Sequence, residues 1–126
     1  IRDFVQPKEL PEIMSDYGIF VLPSWREPWG VVVHEAAAAG LPIITTYECG
    51  AATAFVRNGY NGYLTRGGSV EHLCRSMKKI VNLSDEELFS MGERSYELSK
   101  QITPETWAST LNEVIIDNKY NDSYRD

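Results

Sequence analysis

The sequence predicts an α/β protein, a Rossmann-like parallel sheet flanked by helices, and three observations carry that reading. Ile19-Phe20-Val21-Leu22 is a short, unbroken apolar run, the pattern of a strand buried on both faces of a parallel sheet. Gly30 to Ala39 is apolar and alanine-rich and stops at Gly40, with Pro42 just beyond, which is how a helix ends. Strand-like and helix-like segments alternate with short connections along the first half of the chain, the α/β signature.

Each element follows in order. Residues 1–5 read as a strand, and Pro7 to Tyr17 as a helix with Leu10, Ile13 and Met14 on one face. The strand from Ile19 to Leu22 ends at Pro23-Ser24, the helix from Gly30 to Ala39 follows, and Pro42 to Thr46 is the next strand. Gly50 to Asn58 is a short helix and Gly62 to Leu64 a short strand. Three helices close the chain. Ser69 to Leu83 is expected to turn Val70, Leu73, Cys74, Met77, Ile80 and Val81 inward. Asp85 to Lys100 starts from Ser84, with Glu87 three residues later, a capping box. Pro104 to Asn118 starts with Thr103 as cap and proline at the first helical position. Trp107, Leu111, Val114 and Ile115 recur there at helical spacing and are expected to pack. Residues 119–126 are a polar tail, expected to be mobile.

Composition narrows the function. At 126 residues the chain supports one domain and one core, burying about two thirds of its unfolded surface. A net charge of −6 and a pI near 4.9 exclude a nucleic-acid or anionic-membrane partner for this domain, because both need clustered Lys and Arg. Cys49 and Cys74 have neither metal-ligand spacing nor a disulfide framework, which favours a reducing, cytoplasmic setting. His34 and His72 are the only histidines, too few for a metal cluster of the usual kind, so no metal is expected. His34 is expected to be structural. No segment is apolar enough to span a bilayer.

The chemistry concentrates in Pro23-Ser24-Trp25-Arg26-Glu27-Pro28-Trp29-Gly30 and the helix after it. In an open parallel sheet, ligands sit beyond the carboxyl ends of the strands, where the next helix points its unpaired N–H groups at them. Trp29, Gly30 and Val31 can offer their N–H groups to a phosphate, and Gly30 lets the backbone come close. Glu27 stands on the loop. Glu35 lies about five residues into the helix, roughly 7 to 8 Å further along its axis. Two carboxylates so placed match the two ends of an extended ligand, each accepting hydrogen bonds from vicinal hydroxyls of a sugar or ribose. Within so apolar a helix Glu35 is expected to be mostly buried and to need a partner.

Glu27, seven intervening residues and Glu35, within Pro-Ser-x-x-Glu-Pro-Trp-Gly-x-x-x-x-Glu-Ala and followed by Ala-Gly-Leu-Pro-Ile-Ile, resemble the donor-site signature of retaining glycosyltransferases of group 1 (family four). The resemblance continues through Thr45-Thr46, Cys49-Gly50-Ala51-Ala52 and Val56 to Leu64, and covers most of residues 1–116. It implies the C-terminal, nucleotide-sugar-binding half of a fold of two Rossmann-like domains facing across a cleft. By position, Glu27 would contact donor-sugar hydroxyls and act as the catalytic, sugar-orienting group. Glu35 would hold the ribose, and the backbone at Trp29, Gly30 and Val31 would meet sugar and diphosphate. Ser24, Arg26, Cys49 and Gly50 are candidate lining residues. Trp107 would belong to the closing region that crosses back toward the N-terminal domain. One departure stands out: many members carry Gly-Gly-x-x-Glu after the next strand, whereas here Gly50 is followed by Ala51-Ala52-Thr53-Ala54, so that glutamate is missing or replaced by Thr53.

On this reading residues 1–118 form a partial donor domain, the C-terminal part of a longer enzyme of glycan biosynthesis that is inactive as a fragment. The longer enzyme would be cytoplasmic or peripheral at the inner face of the membrane, and its glycan or lipid-linked acceptor would meet the N-terminal domain. The family neutralises the leaving diphosphate with an arginine and a lysine upstream, for which this chain has no match. A helix N-terminus alone supplies only about half a unit of positive charge. Arg26 and Arg57 are the nearest local candidates. A degenerate domain that binds nucleotide-sugar without turnover is the alternative. A flavodoxin-like signalling domain would need an acidic cluster at its strand ends, where this chain has Pro-Ser and Thr-Thr.

Overall fold

A computed structural model describes residues 5–122, so the strand expected over 1–5 lies almost wholly outside the described residues. Three parallel strands, β1 (Phe20–Leu22), β2 (Ile43–Thr46) and β3 (Gly62–Thr65), form a sheet in the order β1-β2-β3. Phe20 pairs with Ile43, and Ile43 in turn with Gly62. All four residues of β2 are buried, whereas β1 is only half-buried throughout. The strand closed on both faces is therefore β2, the central one, and not the Ile19 run. Among the described residues β1 has a neighbour on one flank only.

The helices differ from expectation mainly at their ends. Pro7–Glu9 is a single 3-10 turn leading into α1 (Leu10–Ser15). The proline at position 11 sits in the first turn of α1, where no intrahelical donor is lost. Helix α2 spans Val31–Ala38, α3 only Ala52–Phe55, α4 Val70–Val81, α5 Asp85–Ser99 and α6 Pro104–Asp122. The polar segment expected to begin at 119 thus starts inside α6. Ser84 and Glu87 form the capping box, each accepting from the other's backbone N–H.

The core lies between one face of the sheet and α2, α3 and α5, around Val33, Ala36, Ile43 and Phe55. Asn61 ties its polar centre together. Its Oδ1 accepts from the Arg57 N–H at 2.7 Å, and its amide donates to the Phe55 carbonyl and Ser95 Oγ at 2.9 and 3.0 Å. A fully buried amide with every group engaged costs little to bury and fixes α5 against the β3 turn.

The last helices depart most from the periodicity. In α4 the buried residues are Ser76 and Ile80, with Leu73 half-buried. Val70 is 81 % exposed, Cys74, Met77 and Val81 are also exposed, and these four border a shallow apolar groove of about 360 Å³. The helix packs chiefly against β3. The stripe through 73, 76 and 80 is therefore covered in part or in full and the adjacent apolar stripe is not. In α6, Trp107, Leu111, Val114 and Ile115 are all exposed, so they pack against no described residue closely enough to be covered.

Candidate functional site

The loop after β1 is stitched to the loop after β2. Glu27 N–H donates to the Glu48 carbonyl at 3.3 Å, and Gly50 N–H donates to the Glu27 carbonyl at 3.0 Å. Glu27 and Cys49 consequently form an isolated parallel bridge that extends the sheet beyond its carboxyl edge. Ala51 N–H donates to the Trp29 carbonyl at 2.8 Å and Thr46 Oγ1 to the Ser24 carbonyl at 2.9 Å. The sequence motif is thus a braced platform rather than a free loop.

Gly30 is the turning point. It caps α2 in the left-handed conformation, with φ +89°, and is not itself helical as expected. A Cβ there would stand 2.9 Å from Cys49 Sγ and 3.0 Å from Glu27 Cγ, so both conformation and space require glycine. Among the described residues Gly30, Val31 and Val32 N–H have no acceptor, and Val33 N–H returns to the Gly30 carbonyl at 2.9 Å. Trp29 N–H is already engaged, donating to Glu27 Oε1 at 3.3 Å. The free donors therefore run from Gly30 to Val32, one residue later than Trp29 to Val31.

Glu35 is half-buried rather than buried, and its carboxylate accepts no hydrogen bond among the described residues. Only the Val33, Ala36 and Ala37 face of α2 is closed, so an apolar composition does not bury the whole helix. Glu35 borders a pocket of about 460 Å³ whose other walls include Pro7, Leu10, Pro11, Met14 and Ala38. That pocket, built by the start of α1, was not foreseen. Its signal is the pair of prolines that set the entry to α1 opposite the small residues of α2.

The remaining candidates separate. Cys49 is fully buried, its Sγ against the Trp29 carbonyl at 3.1 Å, and so supports the platform without lining open space. Gly50 is consumed in the same stitching. Arg57 donates to the Thr53 and Val56 carbonyls at 2.8 and 3.3 Å and so closes the end of α3 instead of facing an anion. Thr53, at the position of the absent glutamate, donates its hydroxyl to the Gly50 carbonyl at 2.8 Å. Arg26 is exposed, and Ser24 takes part through its carbonyl. His34 is structural: its ring stacks on Phe55, 4.1 Å between centroids and 4° from parallel, and Nε2–H donates to the Ser99 carbonyl at 3.0 Å. Among the described residues no three His, Cys, Asp or Glu side chains are grouped to hold a metal ion, and no helix is long and apolar enough to cross a membrane.

Comparison with known proteins gives a consistent family. The chain is 33 % identical over 130 aligned positions, 92 % of its length, to the GtfA subunit of the UDP-N-acetylglucosamine–peptide N-acetylglucosaminyltransferase of Streptococcus pneumoniae, and spans 25 % of that protein. The pneumococcal O-GlcNAc transferase GtfA, solved in complex with UDP and GlcNAc, superposes with a TM-score of 0.66 at 26 % identity, over 85 % of this chain and 23 % of that one. Sucrose-phosphate synthase from Thermosynechococcus elongatus shares the fold, with a TM-score of 0.79 at 21 % identity over 93 % of this chain and 29 % of that one. The family model for glycosyl transferases group 1 matches residues 3–98, and with it the chain belongs to the group 1 glycosyltransferases.

Proposed function

We propose that this chain binds the nucleoside-diphosphate-sugar donor of a retaining glycosyltransferase, and that the whole protein transfers that sugar to a glycan or lipid-linked acceptor. The observation that carries the reading is the row of unpaired N–H groups at Gly30, Val31 and Val32, flanked on one side by Glu27 and on the other by Glu35. Backbone donors at a helix start favour a diphosphate. The half-buried Glu35 carboxylate fits a pair of ribose hydroxyls, with the apolar pocket beside it of the size and character to take the base. Glu27, with one carboxylate oxygen committed to Trp29 N–H, keeps the other for the sugar. The complex of GtfA with UDP and GlcNAc supports the same ligand class.

The chemistry follows from that placement. The bond from the anomeric carbon to the diphosphate breaks, the diphosphate leaves with the electron pair, and the acceptor oxygen bonds the same carbon as its hydroxyl proton passes to a departing diphosphate oxygen. N–H groups aimed at the departing oxygens stabilise the charge that develops there. Glu27 orients the ring and is not assigned as a nucleophile. Arg57 is spent on α3, which leaves the exposed Arg26 as the nearest cation to the diphosphate, and the chain by itself binds without turning over.

Calorimetric titration with UDP-, GDP- and ADP-sugars, each beside its free nucleotide, tests this directly. Saturable binding selective for one base supports the donor-site reading. A folded, full-length protein that binds none of them overturns it, and one that binds without transfer to any acceptor is the degenerate domain.

A further inference from the structure

Trp25 stands two residues before Glu27 and is 76 % exposed. An indole left that open contributes little to folding, since most of its apolar area stays in water. The backbone beneath it is nevertheless shaped to hold it. Gly68, at φ +73°, lies against the six-membered ring so closely that a Cβ would stand 2.2 Å from its Cζ3 and 2.5 Å from its Cε3. A Cβ on Gly67 would stand 2.9 Å from the Trp25 carbonyl oxygen. Glu48 Oε2 accepts from Gly67 N–H at 2.9 Å, which clamps the loop after β3 in place, and the Thr46 hydroxyl holds the neighbouring Ser24 carbonyl. Loops from all three strands thus converge on one exposed aromatic ring at the carboxyl edge of the sheet.

We propose that Trp25 is the platform of a sugar-ring subsite, stacking on the C–H face of a pyranose whose hydroxyls project outward to hydrogen-bonding groups. The face of an indole is electron-rich. The axial C–H bonds of a pyranose present the complementary, weakly positive surface. A nucleobase also stacks, but the pocket fit for it is lined by Glu35 and α1, whereas Trp25 rests on the loop after β3 and lines no part of that pocket. Glu27, two residues along the same braced loop, belongs to the sugar end. The proposal rests on the donor-site reading and adds to it the residue that selects the ring. The ring belongs either to the donor or to the acceptor.

The test compares wild type, Trp25→Ala and Trp25→Phe in the full-length protein. UDP, UDP-glucose and UDP-N-acetylglucosamine are titrated first, then maltose and cellobiose against the UDP-loaded protein. A loss of roughly tenfold in affinity on truncation, as for other ring-face stacks, is expected for a sugar-bearing ligand but not for UDP, with Trp25→Phe recovering most of it. Loss confined to the UDP-sugars places the donor ring on Trp25; loss confined to the free saccharides places the acceptor ring there. Unchanged affinity for both classes, or an equal loss for UDP itself, overturns the subsite while leaving the donor-site reading intact. A wild type that binds none of the UDP-, GDP- and ADP-sugars or their free nucleotides sinks the donor-site reading and the subsite together. Since the ring is exposed, the melting temperature of Trp25→Ala is expected to match wild type, which separates lost stacking from lost fold.

Discussion

The sulfur of Cys49 occupies the space that any side chain on Gly30 would need, 2.9 Å from the position of its Cβ. The buried thiol under the loop and the glycine at the start of α2 are therefore one device, which on the proposed donor-site reading sets how closely a ligand can approach the Gly30, Val31 and Val32 N–H groups. Gly30→Ala meets both this contact and a φ of +89°, a conformation that costs a non-glycine residue about 1 kcal/mol or more. The expected outcome is a lower melting temperature together with a clear loss of nucleotide-sugar affinity. Cys49→Ala, which clears the sulfur, is expected to recover part of the loss in the double variant. Strict additivity of the two substitutions would show that the contact is not shared.

Glu35→Ala is expected to weaken the free nucleotide and the nucleotide-sugar alike, because it removes the proposed ribose contact common to both. Glu27→Ala is expected to weaken the nucleotide-sugar and spare the nucleotide, and so to erase discrimination among sugars. Loss of a charged hydrogen-bond partner corresponds to about 1.5–3 kcal/mol, roughly ten- to a hundredfold in dissociation constant. Calorimetry on the two variants checks this, and affinities for a nucleotide-sugar equal to wild type in both would sink the assignment.

His34 adjoins Glu35 in sequence but serves packing. Its stack on Phe55 and its hydrogen bond to the Ser99 carbonyl join α2 to α3 and α5. His34→Ala is expected to lower stability by about 2 kcal/mol, read by denaturant unfolding, with donor affinity of the folded protein unchanged. A selective loss of affinity at wild-type stability would place His34 in the site instead.

The α5 cap supplies a pH signature. The Ser84 backbone N–H, and then its hydroxyl, hold the Glu87 carboxyl below its ordinary value of 4.5. A carboxylate with a depressed folded value contributes stability that is fully present above the ordinary value and is lost as pH falls through the folded one. Glu87→Gln is thus expected to melt lower than wild type at neutral pH and to converge with it in acid. A difference that is constant across that range would show that the charge has no part in the cap.

How much of this was legible in the residues depends on whether a signal was local. The capping box at Ser84, the stop at Gly40 and the strand–loop–helix around Glu27 each depend on neighbours within a few positions, and the structure forms all three. The α4 stripe departs from its periodicity because hydropathy marks apolar residues without stating which neighbour covers them, and α4 packs chiefly against β3. The burial of Cys49, the pocket beside Glu35 and the Gly68 bed of Trp25 depend on contacts across 20 to 43 positions of chain, which no periodicity records. The family motif pointed to the loop after β1; the bridge from Glu27 to Cys49 and the shift of unpaired donors from Trp29 to Val32 required the backbone.

The most direct measurement is the amide spectrum of the ¹⁵N-labelled protein during titration with UDP-N-acetylglucosamine. Binding at the proposed site shifts the Gly30, Val31 and Val32 amides first and furthest, as their unpaired N–H groups take up diphosphate oxygens, with smaller shifts at Glu35 and around Leu10. Saturable shifts confined to the opposite edge of the sheet, around Tyr17, Phe89 and Tyr96, with the Gly30 to Val32 amides unmoved, would contradict the account.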